Sequence, residues 1–253
     1  METGLQLLWG LGLLGIAVAI AAGLRLGNQW NLALMGLRGL LQLFVFGYLV
    51  AMVWALQSPI ASLAAIGLLI AVAAILLWNQ LLVKLPLLAF SGLALVIGVV
   101  GPLVYVVLLV MQPTAWYDPQ VLLPLTGVGL ASAVTGGLTA ANHLIQALTQ
   151  NPNAIETQLA LGSSVAEVVA PYHQAALRAA IGPNLAALGV VGLGRISPWM
   201  AGNLLGGVDP LKAAALQLLV MLMGIIATLI TSVILCRAIQ RQFFNDAAQL
   251  QRW

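Results

Sequence analysis

Few side chains in this 253-residue chain can do chemistry, and their spacing excludes most of what they could do. Ser132 and His143 are the sharpest nucleophile–base pair, the makings of an intramembrane serine protease. They stand eleven residues apart. On one helix that is about 16 Å of rise, far beyond hydrogen-bond reach. No G-x-x-x-x-G-K-[ST] occurs, so there is no P-loop for ATP. The glycines of "GVVGLGR" lack dinucleotide-site spacing and a preceding strand, and read as helix packing and kinking in lipid. No H-E-x-x-H occurs, and the lone Cys236 offers neither a disulfide nor a zinc pattern. Soft metal donors are limited to Cys236, His143 and scattered methionines such as Met200, Met221 and Met223. Met221 and Met223 are two apart and point different ways on a helix. Methionine in an apolar helix is more often packing than ligand. His143 and His173 read as interfacial or loop residues.

Polar groups in apolar surroundings are better pointers, because a charge at mid-membrane costs a few kcal/mol (about 2.5–3.5 on insertion scales). Arg38 and Gln42 are four apart and share a face at the cytoplasmic end of an apolar run. A snorkelling arginine at an interface is the ordinary alternative. Arg195 lies well inside another run, near Pro198 and Asn203. It calls for a water-lined cavity or a partner such as Asp209 or Asp118. A helix break at "GRISP" would free backbone carbonyls toward such a cavity. Gln217 and Asn142 are of the type that bridges helices.

The elements that must hold these residues follow from composition. The chain is 62% hydrophobic and 6% charged, against about a quarter charged in a soluble domain. That is an integral membrane protein built of helices. The net charge of +3 is too small and dispersed for nucleic acid. Apolar segments long enough to span fall at about 5–24, 34–56, 59–78, 86–111, 121–141, 181–205 and 213–235. The sixth is interrupted by glycines, Arg195 and Pro198. "QPTAWYDPQ", residues 112–120, reads as a rigid external turn with interfacial Trp116 and Tyr117. Glu2 before the first segment and Arg25 after it predict a retained helix with the N-terminus outside. Seven crossings then put the C-terminus in the cytoplasm. Arg25, Arg38, Lys84, Arg178, Arg237, Arg241 and Arg252 fall inside or at that edge, against Arg195 and Lys212 in the other half.

The longest internal loop, about 143–180, is also the most polar stretch. Asn151-Pro152-Asn153 is a helix-start signal. Ile155, Leu159, Gly162, Ala166 and Val169 recur at threes and fours as one helical face. Glu156, Ser163 and Glu167 form a neighbouring strip. Gly162 either interrupts the helix or permits a close contact. An amphipathic helix lying on lipid would carry lysines and arginines rather than glutamates. Simple solvation explains the charge but not the apolar spacing. A docking helix for a soluble partner fits both.

The pattern "E-x-x-L-x-L-G", Glu156–Gly162, with Glu167 and "ALRAAIGP" after it, resembles the cytoplasmic loop of FetB-like permeases. These are membrane subunits of ABC transporters linked to iron export and, in plants, aluminium tolerance. Further similarities follow in family order across nearly the whole chain. They are Arg38 with Gln42-Leu43, "YDPQVLLPLTG" (Tyr117–Gly127), "VGL" (Val191–Leu193), and Pro198, Met200 and Gly202. "GGVDP" (Gly206–Pro210), then Gln217 and Met221, complete the series. The chain departs from the family at "RISPWMAGN", where the family reads close to "SLPGMMTGQ". It departs again at Ala131-Ser132, where the family tends to Gly-Asn. Arg195, Trp199 and Asn203 are therefore unusual, in segments that are plausible pathway walls.

The resemblance implies an all-α polytopic bundle, one permease domain over residues 1–253, with about seven transmembrane helices and a cytoplasmic coupling helix. A separate ATP-binding subunit would use the ATP and dock on Glu156, Leu159, Leu161, Gly162 and Glu167, while this chain binds no cofactor. The candidate pathway is Arg38, Gln42, Arg195, Pro198, Met200, Asn203, Gln217 and Met221. Iron or another metal ion is the implied cargo, with no metal-ligand set assigned. A homodimer in the plasma (inner) membrane is expected, since one copy has few helices to enclose a path. A stand-alone secondary transporter and a non-transporting scaffold are the alternatives. The first needs coupling acids within the membrane, and none of the six acids is central in a segment.

Overall fold

The computed structural model describes residues 2–24, 27, 29–83, 85–113, 115–192, 194–245 and 249. Arg25, Lys84, Leu193 and Arg252, which entered the charge count or the motifs, lie outside the described residues. The described chain is helical, with no strand beyond an isolated bridge between Val191 and Arg195. Among the described residues five helices are long and apolar enough to cross a membrane, where the sequence reading expects about seven spans.

The chain divides into two compact units, Met1–Leu56 and Gln57–Trp253. The first holds α1 (Glu2–Gly23) and α2 (Gln29–Leu56). α2 begins five residues before the expected segment. Arg38 is therefore nine residues into the helix, about 13 Å along its axis, and not at its end. Arg38 and Gln42 are both exposed on that helix.

The second unit contains the other four spans: α3 (Pro59–Asn79), α4 (Leu88–Met111), α5 (Pro119–Gln150) and α9 (Pro210–Phe243). Between the last two run α6 (Pro152–Ala160), α7 (Val165–Val190) and α8 (Pro198–Leu205). Serine or aspartate followed by proline opens four of these helices. Asp118 accepts from the Gln120 amide at 2.9 Å, and Asp209 from Leu211 and Lys212 at 3.0 and 3.1 Å. Ser197 accepts from Met200 at 3.2 Å, and Ser58 stands before Pro59 without a side-chain cap. Each pair meets an orphan amide or removes one where it has no acceptor.

α5 and α9 form the core. Gly129, Ala133, Gly137 and Ala141 recur every fourth residue and are all buried on α5. Small residues at that spacing let two backbones approach, which is how helices associate in lipid. A Cβ added at Gly137 would lie 2.9 Å from Thr231 Cγ2 and 3.0 Å from Leu235 Cδ1. Ser132 O accepts from Thr228 Oγ1 at 2.9 Å. The register rises on both helices together, so they run parallel. α7 runs antiparallel to α9: His173 lies half-buried beside Cys236 and Arg237, and Asn184 Nδ2 donates to Thr228 Oγ1 at 3.0 Å. Asn142 ties α5 to the end of α3, accepting from the Leu82 amide at 3.0 Å and donating to Gln80 O at 3.3 Å. The bridging read from its sequence position is what the structure shows.

The expected sixth segment, 181–205, does not form as one helix. α7 starts sixteen residues earlier and ends at Val190, and α8 is a separate short helix. Glu167, His173, Gln174, Arg178 and Asn184 keep α7 outside the set of strongly apolar spans. α5 and α9 overrun their apolar segments, at about 48 and 51 Å against a hydrocarbon core of about 30 Å. A helix satisfies its own backbone, so it continues past the lipid wherever the side chains permit.

Candidate functional site

Two features of the second unit collect the candidate residues, at opposite ends of α5 and α9. The first is the break between α7 and α8. Gly192 takes a left-handed φ of 87°, which favours glycine. The turn closes on itself: Val190 O accepts from Gly194 and Arg195 at 2.9 and 3.1 Å, and Arg195 O accepts from Gly192 at 3.1 Å. The expectation that this break frees carbonyls is corrected for those two groups, because the turn's own amides take them.

Beside the turn lies a cavity of about 360 Å³. Arg195, Pro198, Gln217 and Met221, four of the candidate pathway residues, line it together with Ser132, Asn184, Ser197 and Trp199. Gln217 is 5% exposed, and its Oε1 accepts from Ser197 Oγ, which fastens α8 to α9. Trp199 Nε1 is buried without a hydrogen-bond partner. Pro198 and Trp199 also border a neighbouring cavity of about 350 Å³ with Pro124 and Asn203. Asn203 Nδ2 donates to Trp199 O at 2.9 Å. Met200 is half-buried on α8 and lines neither cavity. Met221 faces the cavity while Met223 is buried against Gly129, as their spacing requires.

Arg195 is exposed at the cavity and has neither expected acid partner. Asp118 caps α5 and Asp209 caps α9. Among the described residues no three of His, Cys, Asp and Glu gather as a metal-ligand group. Ser132 and His143 both belong to α5, so the distance that separates them on one helix stands. Asn184 and Ser197 escaped sequence reasoning. Their signals were a polar residue after Pro183 in an apolar run and a serine before Pro198. Arg38 and Gln42 belong to the first unit and are placed only within it.

The second feature is α6 and the turn after it. The single face read from Ile155 to Val169 is corrected, since the chain forms two helices here. Gly162, at φ 93°, ends α6. The Ser163 amide bonds Gln158 O at 3.1 Å and the Gly162 amide bonds Leu159 O at 3.0 Å, a paired closure that needs the left-handed residue. An added Cβ there meets nothing within 4 Å. Conformation rather than close approach therefore explains the glycine. Asn151 stands at the N-cap of α6, before Pro152 as the helix-start signal expects, but its side chain makes no capping bond there. Its Nδ2 donates back to Ala147 O at 2.9 Å and closes α5.

Ile155, 1% exposed, pins α6 to the body, while Leu161 is 81% exposed. Leu159 is half-buried, Gly162 is exposed, and Glu156 is exposed without a bonding partner. Glu167 is differently placed. Its carboxylate accepts from the Ser164 amide and Ser164 Oγ, both at 2.8 Å, and its own amide is capped by Ser164 Oγ. This capping box starts α7. The Ser164 backbone bond, then the side-chain bond, hold the Glu167 carboxyl below its ordinary range. Its contribution is complete above the unfolded carboxyl pKa and is lost as pH falls through the depressed folded value. Amide exchange in the first turn of α7, corrected for intrinsic rates, should quicken on that descent. The Glu167→Gln variant should show no such pH step.

Residues 4–244 match the uncharacterised protein family UPF0014. The chain is 34% identical over 243 residues to the UPF0014 membrane protein slr1647 of Synechocystis, covering 96% of this chain and 94% of that one. It is 25% identical to the "Probable iron export permease protein FetB" of Escherichia coli, over 84% of this chain and 81% of that protein. To the UPF0014 membrane protein STAR2 of rice it is 27% identical, covering 93% and 81%. No solved structure matches the chain. With a family match over nearly its full length and five apolar spans, this multi-pass membrane chain belongs to UPF0014, the FetB-like permease family that its motifs resemble.

Proposed function

We propose that the chain is the permease subunit of an ABC transporter that exports a metal ion, with iron the first candidate. A separate ATP-binding subunit docks on α6 and the α6–α7 turn. The observation that carries this reading is the exposed Leu161–Gly162 turn, held out by a helix anchored through Ile155. It carries the E-x-x-L-x-L-G pattern and follows directly on α5. A push on a short element rooted at the end of a long helix moves that helix as a rigid lever. The partner binds and hydrolyses the ATP. Differential binding of the partner's two states shifts the permease between inward and outward forms.

In this reading α1 and α7 complete seven crossings, with the N-terminus outside and the C-terminus cytoplasmic. Two copies pair to enclose the path. The cavity at Arg195 lies toward the external side. The name of the Escherichia coli relative supports iron as cargo. A stand-alone secondary transporter fits less well. Asp118, Glu167 and Asp209 act as helix caps and Glu156 lies on the exposed α6, so none is placed to couple an ion at mid-membrane.

The test is reconstitution with a candidate ATPase. Hydrolysis should rise when the permease is added, and metal should leave loaded vesicles in an ATP-dependent way. Glu156→Lys should reduce co-purification of the ATPase several-fold while the permease still folds. Undiminished association would remove Glu156 from the docking surface. Absence of any stimulation would remove the ABC reading itself.

A further inference from the structure

The charge around the α7–α8 cavity is one-sided. Arg195 is on its wall, unpaired with any described carboxylate, and no acid lines the cavity; Asp118 and Asp209 cap helix starts. The remaining polar lining is neutral: Ser132, Asn184, Ser197 and Gln217. Gln217 Oε1 already accepts from Ser197. The buried Trp199 Nε1–H, on a residue of the same wall, has no acceptor. Hard cations take carboxylates or several oxygens, and soft ones take thiolate or imidazole. This wall offers a guanidinium, the Asn184 amide, the hydroxyls of Ser132 and Ser197, of which Ser197 is already engaged, and one thioether at Met221. A bare metal ion would meet like charge and no acid.

A guanidinium is suited to the opposite ligand, because its planar fork binds carboxylate and phosphate through charge-assisted hydrogen bonds. We infer that this cavity is an oxyanion site, in which a carboxylate or phosphate group seats against Arg195. Resting on the permease reading, a metal cargo then reaches the cavity as an anionic complex with such a ligand, not as a free cation. A lipid headgroup carries the same chemistry, and the experiment separates the two sources.

The full chain is placed in phosphatidylcholine nanodiscs and titrated calorimetrically with citrate, inorganic phosphate and manganese(II) chloride. Citrate or phosphate should bind saturably. Arg195→Gln should weaken that binding at least about tenfold, the loss of one charge-assisted contact, and Arg195→Lys should be intermediate. Arg195 is exposed, so both variants should melt with the wild type. Arg195-dependent retention of phosphatidylglycerol, without citrate or phosphate binding, would keep the oxyanion site but assign it to lipid instead of cargo. Binding of manganese that Arg195→Gln leaves intact or strengthens, with no anion effect, overturns the inference. So does an absence of citrate, phosphate and lipid binding. These outcomes are independent of stimulated ATP hydrolysis, whose failure would sink the permease reading and leave the oxyanion site standing.

Discussion

Replacing Gly98 by alanine should destabilise the second unit by about 2–4 kcal/mol, the upper range for forcing a methyl into a packed interface. Gly98 lies in a π-helical stretch of α4, Val96–Val100, just before Pro102, which cannot donate to the helical ladder. An added Cβ would strike Thr231 Oγ1, and it would also stand 3.1 Å from Ala227 O and 3.2 Å from the Thr231 amide nitrogen. A hydroxyl can rotate away. The backbone of α9 cannot, so α4 has to move off it. Thr231 Oγ1 donates to Ala94 O at 3.3 Å, and that tie between the two helices would be lost as well.

Gly101, three residues on, provides the control. A Cβ there meets nothing within 4 Å, so Gly101→Ala should be neutral or gain up to about 1 kcal/mol of helix propensity. Thermal unfolding in detergent should place Gly98→Ala on the order of 5–10 °C below wild type, with Gly101→Ala at or above it. Superimposable melts for the two variants would mean that α4 and α9 do not approach as described. Thr231→Ala should rescue Gly98→Ala only in part, because the two backbone contacts remain.

The second large effect concerns coupling. Leu161→Asp should leave the fold intact, since the side chain is 81% exposed. It should nonetheless abolish stimulation of the partner ATPase. A leucine seated in an apolar cleft contributes about 1.5–3 kcal/mol, and a carboxylate forced into its place adds a desolvation cost. Together these weaken docking by on the order of 30-fold or more. Ile155→Asp is the contrasting variant. Ile155 is buried under α6, so its loss should release α6 and lower stability along with coupling. Wild-type stimulation by Leu161→Asp would show that the partner engages another surface.

Much of this molecule was legible in the sequence because lipid imposes simple demands. Length and apolarity predicted about seven spans, five of which coincide with the long apolar helices among the described residues, and the break around GRISP showed as glycines, an arginine and a proline inside an apolar run. The exclusion of a Ser132–His143 pair followed from the rise of one helix. What escaped was of two kinds. Local hydrogen-bond choices decided what residue type left open: the Asn151 side chain bonds back to α5 although Asn151 stands at the start of α6, the exposed Glu167 bonds Ser164 to cap α7, and Gly162 interrupts the helix, one of its two expected roles. Each residue type was compatible with both outcomes, and the neighbouring backbone decided.

The other kind was pairing between helices. In water an apolar stripe marks the face that meets the core. In a bilayer the face toward lipid is as apolar as the face toward another helix. The order of residues therefore determined that this chain crosses membranes, and about where. Only the tertiary structure decided that α5 and α9 lie parallel through their glycines, that Ser197 meets Gln217, and that Arg195 faces a cavity without an acid, because close approach of backbones and the sharing of polar groups across helices leave no periodic trace in a uniformly apolar chain.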